Sequence, residues 1–248
     1  VVAVARARVR RAGAAGNGDE LVVNFLGLEP VDDDTPAAVF DVVYDAGDAD
    51  NITIQNGGLL NAFQSIRVLD NGGTFETFRF ANKTTVRLSL NDLADAAVVD
   101  YSIPAAGLTT LEVYGHVAPG IGGQPADDNA RDYFQLRAPA AGPQNNLLGQ
   151  GGDDIFENLN IGSAILALAV PGGTFNLSNI NGPVSIDGGT HGAAGDFIAL
   201  SDLNAAAADI GTLTNTTLTG VAPATLTYAT VESFYLELTA LNDTLDIT

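Results

Sequence analysis

The stretch Asp187–Leu200 reads DGGTHGAAGDFIAL, and it decides the expected fold. Its glycines form a corner that leads to a carboxylate at Asp196, and a short apolar segment follows immediately. Glycine and aspartate favour tight turns, whereas a short apolar run bounded by turn residues favours a strand. A turn, an aspartate and a strand in succession therefore indicate one corner of a chain that coils and stacks on itself.

Weaker copies of this arrangement recur along the chain at Gly16–Val23, Gly47–Ile54, Gly149–Phe156 and Ala240–Ile247. Strand-like apolar cores recur with a loose period of about 20–25 residues, which is the size of one coil in solenoid proteins. Inward Val, Ile, Leu and Phe would stack on similar residues about 4.8 Å away along the axis. We therefore expect an all-β fold, a right-handed parallel β-helix (β-solenoid) of about ten rungs.

The competing fold consists of two β-sandwich domains, although the apolar cores are spaced more widely than sandwich strands usually are. A Pro- and Gly-rich break at residues 138–146 is expected to separate two lobes of one solenoid, residues 16–137 and 147–248. No polar cap is recognised at either end of the repeating pattern, so exposed strand edges are expected at both ends.

Residues 1–15 form a basic N-terminal arm that differs from the rest of the chain. Four of the ten basic residues lie here, and all thirty acidic residues follow them. As a strand, the arm would place three arginines on one face. It is either a frayed arm or a docking strand that contacts an acidic surface of another subunit, and the assembly residues would be Arg6, Arg8, Arg10 and Arg11.

The 248-residue chain has a formal net charge of −20, which repels nucleic acid and anionic lipid. It has no cysteine, so disulfide frameworks and thiol chemistry are excluded. No apolar run reaches the length needed to cross a membrane as a helix, and no membrane insertion is expected.

No known catalytic motif occurs, and the two histidines, His116 and His191, lack the spacing of a metal site and are expected in exposed loops. We therefore assign no catalytic or cofactor-binding residue and expect a protein that is not an enzyme. The alternative is a polysaccharide-degrading or sugar-binding β-helix protein, which would need carboxylates beside aromatic side chains in a groove, around Tyr101, Tyr114 and Tyr133.

The segment Leu218–Thr248 contains Tyr228, the run Val231–Phe234, and Asn242–Leu245 after an alternating strand. It resembles the repeats of very large bacterial surface proteins of the haemolysin-type and filamentous adhesin-like classes. That resemblance implies an exported β-helical protein with an extracellular or cell-surface structural role.

The run Gly149–Ile155 also resembles one calcium-binding nonapeptide, although Leu148 stands where that motif has its first glycine and no tandem copy follows. Turn carbonyls and aspartate carboxylates are oxygen ligands suited to calcium. Calcium is thus the one candidate cofactor, and a purely structural turn is the alternative. The candidate ligands are Asp153, Asp154, Asp196 and Asp243.

Together these features predict a structural building block of a cell-surface layer, fibre or adhesin. Its partners would be copies of itself, joined end-on or laterally into an oligomer, filament or lattice. A cell-surface polysaccharide is a second expected partner class, and nucleic acid is not expected.

Overall fold

A computed structural model describes residues 31–44, 49–72, 77–90, 93–120, 129–158 and 176–248, together with the backbone of residues 5–10 and 20–25. These residues form an all-β structure with one 3₁₀ turn at Leu177–Asn179 and no α-helix within the described ranges. The twenty strands are β1 (Ala5–Arg10), β2 (Glu20–Phe25), β3 (Val31–Asp33), β4 (Ala37–Val43), β5 (Asn51–Leu60), β6 (Phe63–Asp70), β7 (Phe78–Phe80), β8 (Lys83–Ser89), β9 (Ala96–Asp100), β10 (Thr110–Tyr114), β11 (Tyr133–Leu136), β12 (Gln144–Leu148), β13 (Ile155–Glu157), β14 (Val184–Asp187), β15 (Phe197–Ser201), β16 (Ile210–Leu213), β17 (Thr217–Thr219), β18 (Leu226–Ala229), β19 (Ser233–Glu237) and β20 (Thr244–Ile247).

The strands form two large mixed sheets. Sheet A has eleven strands in the order β2-β1-β4-β8-β10-β12-β14-β18-β17-β16-β20. Sheet B has nine strands in the order β19-β15-β13-β11-β9-β5-β6-β7-β3. The mostly parallel pairing in the centre of both sheets does not match two antiparallel sandwiches.

The chain alternates between the sheets along its length. It passes from β4 to β5, from β8 to β9, from β10 to β11, from β12 to β13, from β14 to β15 and from β18 to β19. In each sheet the six strands of this series pair parallel with their neighbours. Every such crossing therefore adds one strand to sheet A and one to sheet B.

Side chains in matching register form continuous apolar columns between the sheets. In sheet A, Phe40 lies beside Val86, which lies beside Leu111, and all three are buried. In sheet B, the rings of Phe134 and Phe156 stack with centroids 4.9 Å apart. Full burial of one such side chain contributes about 1.5–3 kcal/mol, so these columns supply much of the stability.

The described residues contain six passages from a strand of sheet A to a strand of sheet B, fewer than the ten rungs expected. The apolar cores counted from the sequence include strands of both sheets, so two apparent repeats correspond to one such passage. The spacing between successive passages also varies. Thr110 pairs with Thr85, whereas Leu226 pairs with the more distant Val184, because the connections between the strands have very different lengths.

One end of the parallel series is covered by antiparallel strands, contrary to the expectation of open edges at both ends. Strand β1 pairs antiparallel with β4 in sheet A, and β6 pairs antiparallel with β5 in sheet B. The core residues Phe40 and Ile52 next to this cover are 4% and 0% exposed. The strands that reverse direction therefore close this end of the core.

The basic arm is not a separate element, because Ala5–Arg10 is β1 and lies in sheet A of its own chain, between β2 and β4. Arg11 lies outside the described residues.

The sheets also continue across residues 138–146, where β12 begins at Gln144 and pairs parallel with β10. Backbone pairing thus joins the segments on both sides of that stretch. The described residues contain no helix with the length and apolarity needed to span a membrane.

Candidate functional site: a ladder of corner carboxylates

An acidic residue stands immediately before each of the six parallel strands of sheet B. Because these strands are parallel and in register, the six residues follow one another along one corner of the structure. We call this row the corner ladder, and its members are Asp50, Asp95, Asp132, Asp154, Asp196 and Glu232.

Each step of the ladder is a hydrogen bond. The backbone N–H of each of the first five members donates to a carboxylate oxygen of the next member, at 2.7–2.8 Å. A buried N–H without an acceptor costs free energy, and at a corner the chain is leaving one sheet for another. The carboxylate therefore supplies the acceptor, which explains why a residue with a short side-chain oxygen acceptor precedes these strands.

Three glycines make room for the ladder on the side of sheet A. Each lies directly after a strand of sheet A, and its Cα packs against the second oxygen, Oδ2, of the ladder aspartate before the next strand of sheet B. A Cβ atom built on these glycines would lie only 2.0–2.2 Å from that oxygen. The three pairs are Gly115 with Asp132, Gly149 with Asp154, and Gly188 with Asp196. The sequence pattern of glycine followed by aspartate thus has a direct steric cause.

The first five ladder carboxylates are buried, with exposed fractions of 0–3%. No lysine or arginine occurs in the sequence after Arg137. Burial raises the pKa of Asp196, the negative charge of Glu232 adds to this effect, and the N–H of Asp154 opposes it.

Asp153, the neighbour of a ladder residue, has a different role. Its Oδ1 accepts a hydrogen bond from the N–H of Gly195 at 2.8 Å, and Arg131 Nη2 lies 3.9 Å from its Oδ2. On the same loop, His191 Nε2 lies 3.2 Å from Glu232 Oε1. Asp153 thus attaches the glycine-rich loop at 188–195 to the turn before β13.

A second, shorter ladder occurs near the other edge of sheet A, where Asp209 precedes β16 and Asp243 precedes β20. The N–H of Asp209 donates to Asp243 Oδ1 at 2.8 Å, and the Thr239 hydroxyl donates to Asp243 Oδ2 at 2.7 Å. The hydrogen bond from Asp209, followed by that from Thr239, lowers the pKa of Asp243. The same turn, aspartate and strand therefore build both ladders.

The four residues predicted to bind calcium do not lie together. Asp154 and Asp196 are consecutive steps of the corner ladder, Asp153 faces the loop at 188–195, and Asp243 belongs to the second ladder. Within the described ranges, no group of three or more His, Cys, Asp or Glu side chains is arranged to hold a metal ion. Calcium binding remains a prediction, and the hydrogen bonds show that these residues also have structural roles.

The aromatic groove expected for a sugar-binding protein is not formed by the predicted tyrosines. Tyr101 is fully buried, and its hydroxyl donates to Asn145 Oδ1 at 2.5 Å inside the core. Tyr114 is 7% exposed and Tyr133 is half-buried. His116, expected to be exposed, is only 3% exposed, whereas His191 is exposed as expected.

Two ion pairs with a fully buried member were not predicted from the sequence. Lys83, the only lysine, is fully buried, and its Nζ lies 3.0 Å from Asp33 Oδ2 and 5.2 Å from the centroid of the Phe40 ring. Arg87 forms a bidentate pair with the fully buried Asp41. Asp41 and Arg87 each stand between two apolar residues in strands that pair, and aligning those strands would have revealed the pair.

Comparison of the chain with protein-family models, with curated proteins and with solved structures found no match.

Proposed function

We propose that the two sheets are the faces of a parallel β-solenoid and that the protein is a non-enzymatic structural unit that associates with a second copy of itself. The alternation of the chain between two sheets of parallel strands supports the solenoid. So does the corner ladder, which links each coil to the next through a repeated hydrogen bond. Each of the last five carboxylates of the corner ladder accepts the backbone N–H of the member before it, a structural role that does not require catalysis.

The observation that carries this proposal is the incomplete burial of the core at the end formed by β19 and β20. Among the described strands, β19 is the last of sheet B and β20 the last of sheet A, so within this part of the chain each has one unpaired edge. The core side chains here are only partly buried, including Phe234, Leu236 and Leu245. Beyond them, Ile247 is 71% exposed and Tyr235 is 47% exposed. We call this surface the open end.

An unpaired strand edge beside exposed apolar residues is a template for pairing with another chain. The opposite edge of sheet B is less suited to such pairing. Its last strand in sheet B, β3, is three residues long and carries Asp32, which is paired with Arg79, and charged short strands resist edge-to-edge association. Two open ends facing each other would form a closed two-fold dimer, whereas a filament would need both ends to be adhesive.

The proposed location is extracellular, at a cell surface, within a layer, fibre or adhesin. The absence of cysteine and the strongly acidic composition are compatible with that location, and the resemblance of the C-terminal segment to repeats of bacterial surface proteins favours it. A surface polysaccharide remains a proposed second partner.

Substitution at the open end tests the proposal. Ile247→Asp places a charge on an apolar residue that is 71% exposed, and Leu59→Asp places one on a residue that is 68% exposed, in the β5–β6 hairpin. We expect the parent and Leu59→Asp to associate as concentration rises in light scattering, and Ile247→Asp to remain monomeric. A parent protein that is monomeric at all concentrations and salt conditions, or equal association of both variants, would refute association through the open end.

A further inference from the structure

The single lysine of the chain lies beside the covered end of the core, in contact with a carboxylate. Lys83, at the start of β8, is fully buried, and its Nζ lies 3.0 Å from Oδ2 of Asp33, the last residue of β3. The Nζ also lies 5.2 Å from the centroid of the Phe40 ring, which packs against the rings of Phe78 and Phe80 with centroids 6.3 and 6.1 Å away. The amine is thus enclosed by aromatic side chains and faces one carboxylate.

The backbone of Thr35 contacts both members of this pair. Its N–H donates to Asp33 Oδ1 at 2.8 Å, and its carbonyl oxygen accepts a hydrogen bond from Lys83 Nζ. One oxygen of Asp33 is therefore held by an N–H, while the other faces the amine. An N–H directed at a carboxyl oxygen stabilises the negative charge that develops there when a nucleophile adds to the carboxyl carbon.

Strand pairing holds the two groups in place. The carbonyl of Asp33 accepts the N–H of Ala81 at 3.1 Å, and Lys83 lies in register with Ala37 of β4. Well-oriented groups in one molecule react as if their concentration were about 10⁵–10⁸ M. A lysine amine removed from water is also an activated nucleophile. The covered end therefore meets the two main requirements for a reaction between the side chains of Lys83 and Asp33.

We propose that Lys83 and Asp33 form an intramolecular isopeptide bond, an amide that joins Nζ to Cγ. A proton passes from Nζ to Oδ2, and the neutral amine adds to Cγ while the charge that develops on Oδ1 is held by the Thr35 N–H. A C–N bond forms and the Cγ–Oδ2 bond breaks, and Oδ2 leaves as water with a second proton from Nζ. An ammonium and a carboxylate become an amide and one water molecule, so atoms and charge balance without another reactant. The Asp33 side chain is 22% exposed, which gives the water an exit.

The bond would join β3, the last described strand of sheet B, to β8 in sheet A. It would close a loop from residue 33 to residue 83, which contains β4 to β7 and thus the antiparallel strands that cover this end in sheet B. A covalent cross-link stabilises a fold mainly by restricting the unfolded chain. Force applied to the two ends of the chain would pass through the bond and leave the loop folded. The bond does not depend on association through the open end, so the two proposals can fail separately.

The mass of the whole protein tests the proposal. We expect the denatured parent protein to be lighter than its sequence by one water molecule, and Lys83→Met, which lacks the amine, to have its full mass. Arg79→Met breaks the neighbouring ion pair with Asp32 but keeps both reacting groups, so this matched control should also lose the water. A parent protein that keeps its full mass after prolonged incubation in the folded state would overturn the proposal.

Digestion with trypsin locates the bond, whether or not Lys83→Met folds. A free Lys83 side chain is cleaved, so residues 80–83 and 84–87 appear as separate peptides. The bond blocks this cleavage and joins residues 80–87 to residues 12–67, which contain Asp33, in one branched peptide. Loss of water by cyclisation at Asp187 and Gly188 would instead leave the two short peptides separate and would also occur in Lys83→Met. That result would overturn the isopeptide bond.

Discussion

Replacing Gly149 with alanine tests the corner ladder. The new Cβ would lie 2.1 Å from Asp154 Oδ2 and 2.8 Å from the backbone carbonyl oxygen of Gly188 in the next coil. The side chain of Asp154 is itself fixed by the N–H of Asp132, so it cannot move aside without breaking that bond. The backbone of Gly188 is fixed by its own N–H, which donates to the carbonyl of Ala229.

The sign of the effect depends on two opposing contributions. Gly149 does not have a positive φ, so alanine can adopt its backbone conformation, and the reduced entropy of the unfolded chain would stabilise the variant by about 0.4–1 kcal/mol. Overpacking against a rigid neighbour costs about 1–3 kcal/mol. We expect a net destabilisation of about 1–2 kcal/mol, which lowers the melting temperature by roughly 2–8 °C in a chain of this size.

Thermal unfolding followed by circular dichroism measures this shift, and a double-mutant cycle with Asp154→Ala identifies its cause. Asp154→Ala alone leaves the N–H of Asp132 without this acceptor, at a cost of about 1–3 kcal/mol. Since the double variant no longer has the clash with Oδ2, its destabilisation should be smaller than the sum by about 1 kcal/mol. Strict additivity, or a Gly149→Ala protein at least as stable as the parent, would refute the packing of glycine against the ladder.

Two further predictions concern charged groups. Arg87→Met leaves the fully buried Asp41 without its partner and should lower the free energy of unfolding by about 3–5 kcal/mol in denaturant titrations. Arg79→Met breaks a partly exposed pair with Asp32 and should lower it by at most about 1 kcal/mol. Equal losses would contradict this assignment. Adding calcium should leave the melting temperature nearly unchanged at neutral pH, because the oxygens of Asp153 already accept N–H bonds. A saturable rise of the melting temperature in the parent that is absent in Asp153→Asn would instead support the predicted calcium site.

The corners could be predicted from the sequence because each one is local. Glycine, a short turn, aspartate and an apolar strand lie within about ten residues, and every step depends on the conformational preference or hydrogen bonding of adjacent positions. Asp154 and Asp196 were therefore recognised as special positions, although a metal was the expected reason. Their actual partners, the N–H groups of Asp132 and Asp154, lie in the preceding coil and are not apparent from the local pattern.

The pairing of strands could not be predicted in the same way. A parallel pair joins residues that are far apart in sequence, and connections of unequal length remove the regular period that would reveal the register. Strand β4 pairs with β8 across the whole excursion of β5, β6 and β7, which covers one end of the core. Burial of Lys83 depends on the same excursion, because its partner Asp33 lies on β3, which pairs with β7.

The use of aspartate rather than asparagine in the corner ladder has a physical consequence. The side-chain oxygen of an asparagine could accept the same N–H without bringing a charge into the core, so the hydrogen bond alone does not require an acid. With aspartate, burial raises the pKa of Asp196, so the folded chain favours its protonated form. The unfolded chain loses this proton at a lower pH, so the contribution of Asp196 to stability is complete at acidic pH and is lost as the pH rises through its raised pKa.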